Sequence, residues 1–159
     1  MNMKIIMYLM LLLKMKNLNL NKNTNEITPN KWKLIEEIGW YWKAKEENPN
    51  DEVAKYLMEN YSTNDIVELK NFVVRHRLKL QGFILGYCKS SPIEFKDKIQ
   101  LSDDRLWDFS SHIVGLGEVM YNYVIDHPNC IIELQKDYVE NFEYGFDKAI
   151  YEIENSKYD

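Results

Sequence analysis

The sequence predicts an all-α fold, a single-domain bundle of five or six helices. Three observations carry that prediction. Apolar residues recur every three to four positions along several stretches, a period that gathers them on one helix face. Good helix-start residues stand directly before those stretches. Gly and Pro number only 6 and 4 in 159 residues, too few to punctuate many short strands.

The first helix is expected to start at Thr28-Pro29. A hydroxyl there can accept an orphan N–H, and Pro suits the first turn. Trp32, Ile35, Ile38, Gly39 and Trp42 share one face. Three adjacent aromatics, Trp40, Tyr41 and Trp42, cannot all face one core. Trp40 is therefore the expected partly exposed ring, and an exposed Trp is a usable interface anchor. Asn48-Pro49-Asn50 ends the helix, because the residue before Pro avoids helical backbone. A short second helix, 51–61, buries Val53 and Leu57.

Ser62 with Asp65 reads as a capping box for a third helix. Ile66, Leu69, Phe72, Val73, Leu80 and Phe83 form its apolar rhythm, and Arg75, His76, Arg77 and Lys79 form a basic cluster that complements a helix C-terminus. Residues 83–87 either continue this helix or start another; Ser90-Ser91-Pro92 breaks it.

Ser102 is an expected N-cap, with Asp103 and Asp104 in the first turn, where negative charge is favoured. Leu106, Phe109, Ile113, Leu116, Met120, Tyr123 and Val124 give the apolar stripe, closed by His127-Pro128-Asn129. The last helix, 131–153, buries Leu134, Tyr138, Phe142, Phe146, Ala149 and Ile150.

Residues 1–27 read as an extension outside the domain, which spans 28–155. Lys4 precedes an apolar run from Ile5 to Leu13, and Lys14 and Lys16 follow. Nine residues are too few to span a bilayer, which needs about 20, and no small-residue cleavage site follows. Three readings stay open: a signal or anchor, a helix docking on the domain, or an upstream extension with Met15 as the true start.

The net charge of −5 is unevenly divided: residues 1–100 hold 16 Lys and Arg against 12 Asp and Glu, and residues 101–159 hold 4 against 13. An acidic second half repels phosphates and argues against nucleic acid. It fits a basic protein partner such as a toxin. The acids expected to line that face are Glu118, Glu133, Asp137, Glu140, Glu143 and Asp147. Cys88 and Cys130 lie in no metal or redox motif and read as idle thiols in a reducing, cytoplasmic setting.

There is no phosphate loop, HExxH, GxSxG or CxxC. No cofactor is expected, and the chain leans away from an enzyme. The alternative is an enzyme or metal-binding protein using Asp104, Asp108 and His112, spaced i, i+4, i+8 on one helix side. The bland counterpart of that cluster is a solvated polar stripe.

Ser102-Asp103-Asp104, Leu106, Phe109, Ile113-Val114 and Gly117 resemble the central signature of the bacterial domain of unknown function 4240. Glu118-Val119 through Asp126-His127-Pro128-Asn129 is similar to that family's downstream helix and turn. Trp32-Lys33-Leu34-Ile35-Glu36 and residues 62–72 resemble its two earlier helices. The resemblance covers about residues 30–155, with an extra stretch around 90–100. Ser110 stands where the family shows Arg, and His112 where it shows Trp. The resemblance implies a helical bacterial cytosolic domain with no assigned activity. The expected function is a non-catalytic protein-binding module of the immunity or antitoxin kind.

Overall fold

A computed structural model describes residues 30–140 and 142–156. The chain divides into two units, Met1–Asn30 and Lys31–Asp159. The expectations for the apolar run and for the Thr28-Pro29 cap lie outside the described residues. Within the second unit the helices are α1 (Lys31–Ile38), α2 (Trp40–Lys43), α3 (Pro49–Asn60), α4 (Thr63–Ser90), α5 (Ile93–Lys96), α6 (Asp103–Gly115), α7 (Glu118–Asp126), α8 (Ile131–Leu134) and α9 (Phe142–Asn155). A 3-10 turn, Pro128–Cys130, precedes α8. Among the described residues there is no strand. The all-α expectation is met.

The helical segments outnumber the five or six expected, because three expected long helices are broken. Gly39 adopts left-handed backbone (φ 71°) and separates α1 from α2. Gly117 (φ 99°) separates α6 from α7. L side chains rarely hold such angles, so glycine permits both breaks. The expected last helix is interrupted between α8 and α9, and the Gln135 side chain at the break bonds instead to the backbone of the segment before α6. Gln135 Nε2 donates to the Lys98 carbonyl at 2.7 Å, and the Gln100 N–H donates to Gln135 Oε1 at 2.9 Å.

The longest helix, α4, runs through residues 83–87 without a break. Ser62 and Asp65 form the expected capping box at its start. The basic cluster Arg75 to Lys79 consequently falls in mid-helix rather than at a C-terminus, and Arg77 is buried. Ser102 does occupy the N-cap of α6 with extended backbone, but its side chain makes no capping bond. Pro49 takes the first position of α3, which therefore begins two residues before the expected start.

Helix α9 packs on α3 and α4, and α6 packs on α4. Ile35, Ile38, Leu57, Ile66, Leu80, Phe109, Ile113, Phe142 and Phe146 are the bulk of the core. Trp32 of α1 meets Phe72 and His76 of α4 and Tyr121 of α7, with ring centroids 4.9, 4.7 and 5.2 Å away. The first two contacts are edge-on and the third is tilted, and together they tie three helices through their rings. Among the described residues no helix is long and apolar enough to cross a membrane.

Two glycines set how closely helices approach. A Cβ at Gly145 of α9 would lie 2.5 Å from Val53 Cβ and 3.1 Å from the Asn50 carbonyl oxygen of α3. A Cβ at Gly115 would lie 2.7 Å from Trp40 and 2.8 Å from Phe142. Gly86 of α4 has open space around it. Gly145→Ala is expected to destabilise by about 1–3 kcal/mol through overpacking. Gly86→Ala is expected to stabilise by roughly 0.5–1 kcal/mol through helix propensity. Chemical denaturation separates the two; a neutral Gly145→Ala would show that α3 and α9 do not approach this closely.

Candidate functional site

Helix α6 is buried at every position from Phe109 to Gly115. Its polar residues must therefore find partners inside the protein. His112 does so through one nitrogen. Its Nδ1 accepts from Trp40 Nε1 at 3.0 Å and from the Val139 N–H at 3.2 Å. Two donors on Nδ1 place the imidazole proton on Nε2. Burial pushes the His112 pKa from 6.5 down to about 4.

That shift has a definite sign. Between about pH 6.5 and 4 the unfolded chain takes up a proton that the folded chain refuses. Stability is full above that window, falls as pH drops through it and levels off below. The shift is equivalent to roughly 3 kcal/mol.

The expectation of an exposed Trp40 is overturned. The break at Gly39 turns Trp40 inward, where it is 1% exposed, and leaves Trp42 61% exposed. The Trp42 ring lies on the surface beside Tyr41, with Lys45 Nζ 3.9 Å from the Tyr41 centroid and 4.7 Å from that of Trp42.

The solvated stripe Asp104, Asp108, His112 is also corrected. The imidazole is core, turned onto Trp40 and Val139, while Asp104 is exposed and Asp108 half-buried. Among the described residues no group of three or more His, Cys, Asp and Glu is arranged to hold a metal ion.

One turn away lies a second buried polar group. Arg77 Nε donates to Glu143 Oε2 at 2.7 Å, and Ser111 Oγ donates to the same oxygen at 3.3 Å. Arg77 Nη1 donates to Gln81 Oε1 at 2.9 Å. The Trp107 ring covers the guanidinium at 4.4 Å. Helices α4, α6 and α9 are thereby joined by one charge pair. Ser110 Oγ, fully buried beside it in sequence, has no hydrogen-bond partner among the described residues.

The six expected surface acids do not form one patch. Glu143 is buried on Arg77. Asp147 pairs with Lys70, and Glu133 with Lys136 at 2.8 Å. Glu118 opens α7 and acts electrostatically on His76. Asp137 is exposed, with no ion pair among the described residues.

Glu140 instead joins two residues of the alternative cluster. Asp108 has its carboxyl pKa raised first by burial and then by Glu140, Asp104 and Glu143. The Tyr144 hydroxyl is raised by burial and by the same four carboxylates. Asp104, Asp108 and Glu140 form no ion pair with another described residue. Trp107 and Tyr144 are partly exposed near them.

Ser111, Trp107 and Tyr144 were missed from sequence, and Arg77 was read only as part of a basic cluster. The readable signal was Arg77 itself. It falls on the buried register of α4, Ile66, Leu69, Val73, Leu80 and Ile84, where a charge requires a buried partner.

No family model, curated protein or solved structure matches the chain.

The structural role of Glu143 has a direct consequence. Glu143→Ala is expected to cost about 3–5 kcal/mol, because it strands a buried guanidinium. Asp147→Ala, at an exposed pair, is expected to cost less than about 1 kcal/mol. Equal losses in denaturant unfolding would contradict the burial of the Arg77–Glu143 pair.

Proposed function

We propose that this protein is a non-catalytic binding module, and that its docking surface is formed by Asp104, Asp108 and Glu140 with the rings of Trp107 and Tyr144. The single observation supporting it is the gathering of these carboxylates, without an ion pair among the described residues, beside partly exposed aromatics. Carboxylates held together repel one another, and a partner's Lys or Arg relieves that repulsion on binding. An aromatic face beside the acids adds attraction for the same cation. The partner is a basic protein.

A toxin that cuts nucleic acid has the required basic cleft, since it must hold phosphates. This chain then acts as its immunity or antitoxin partner. The resemblance to the domain of unknown function 4240 and the free thiols Cys88 and Cys130 fit a bacterial cytoplasmic setting.

Affinity capture from the host, followed by association kinetics, tests this. Glu140→Lys combined with Asp104→Lys is expected to slow association about tenfold or more and to flatten its salt dependence. Asp147→Lys, at a carboxylate already answered by Lys70, is expected to change it less. A captured partner whose association rate ignores both salt and the Glu140 and Asp104 reversals would overturn the proposal.

A further inference from the structure

Trp107 already holds one guanidinium. Its ring lies over Arg77 Cζ at 4.4 Å, while Arg77 Nε donates to the Glu143 carboxylate at 2.7 Å. A flat guanidinium suits both contacts at once, stacking by its face and hydrogen-bonding by its edge. That contact does not use up the ring. With one face on Arg77, the 39% of Trp107 that stays accessible lies on the other face and the edges. The charge of Arg77 is answered by Glu143, so the ring presents no uncompensated positive charge to a second cation.

The parts of this inner arrangement recur outside it, with the cation missing. Asp103 and Asp104 stand four and three residues before Trp107 in α6, one turn back on the same side of the helix. Helical side chains lean toward the N-terminus, which brings the indole toward those carboxylates. Both aspartates are exposed, and neither forms an ion pair among the described residues. Arg105, the nearest cation in sequence, is engaged elsewhere. It leaves the helix about 160° round from Trp107 and donates from Nε to the Tyr138 hydroxyl at 3.3 Å.

These features extend the docking surface proposed above and rest on that reading. We infer that the group this surface takes from its basic partner is an arginine, stacked on the outer face of Trp107 with its N–H edge on Asp103 and Asp104. Lysine fits less well. Its ammonium is a compact, strongly hydrated point charge, and it cannot stack by a face while bonding by an edge. The partner is therefore a protein that presents arginine at the contact.

Titration of the full chain with two peptides of equal charge, hexa-arginine and hexa-lysine, tests this by nitrogen–proton NMR. Hexa-arginine is expected to bind about threefold or more tighter, and to move the Trp107 indole signal more than the signals of Trp32, Trp40 and Trp42. Asp103→Asn combined with Asp104→Asn is expected to weaken hexa-arginine binding severalfold with circular dichroism unchanged. Trp107→Leu is expected to abolish the preference for arginine. Because it also uncovers Arg77, Trp107→Phe is its companion: it keeps a ring over Arg77 and is expected to retain part of the preference. A preference that survives Trp107→Leu overturns the inference. Equal affinities for the two peptides, both lost on Glu140→Lys with Asp104→Lys, also overturn it and leave the acidic docking surface standing. Peptides that fail to bind, or that bind regardless of those two reversals, overturn the docking surface as well.

Discussion

The imidazole of His112 sits in the stretch of α6, residues 109–115, that is buried at every position, and its Nδ1 finds its hydrogen bonds within the protein. Its Nδ1 gathers a donor from α2, the Trp40 indole, and a donor from the strap between α8 and α9, the Val139 amide. Neither donor belongs to a regular helix ladder at that point. Trp40 stands directly after the left-handed break at Gly39, and Val139 lies where the helix expected over 131–153 is interrupted. One neutral nitrogen thus satisfies the indole that the Gly39 break turns inward and a backbone N–H left outside the helices at the second break. Glycine completes the fit. Gly115, one turn along α6, leaves room for the Trp40 and Phe142 rings to close over the same helix.

The Arg77–Glu143 pair is the charged counterpart of that arrangement. Removing two charges from water is costly, and the return comes only with close geometry and added bonds. Ser111, Gln81 and the Trp107 face supply those additions. The pair fixes α4 and α9 to α6 in one register, which in turn sets where the exposed acids lie. With Glu143 drawn inward, Glu140 and Asp108 are left at the rim on neighbouring segments. The crowding of charge around Asp108 is thus a by-product of how the core is joined.

Much of the fold was legible because it rests on local chemistry. The apolar periods of α3, α4 and α9, and the Ser62–Asp65 capping box, depend on residues three to four apart. The breaks at Gly39 and Gly117 were not legible, since a lone Gly in a helical pattern is usually tolerated. Missing Gly39 reversed the fates of Trp40 and Trp42, because one left-handed residue rotates everything after it. Missing the strap at 135–140 hid His112's second donor. The candidate site was read only in part for a related reason. Asp104, Asp108 and Glu140 were picked out as acids, but from two separate lists. Their meeting, and the removal of Glu143 and His112 from the surface, are set by helix packing over long sequence distances. Arg77 was the one long-range contact with a local sign, a cation standing on an apolar register.

The state of His112 is the centre of this account, and nitrogen NMR across a pH titration reads it directly. The ring is predicted to be neutral, protonated at Nε2 with Nδ1 unprotonated, and to stay so until the pH falls to about 4. An imidazole that instead titrates near its ordinary 6.5, or that carries its neutral-form proton on Nδ1, would contradict the account, since neither leaves an acceptor for Trp40 and Val139.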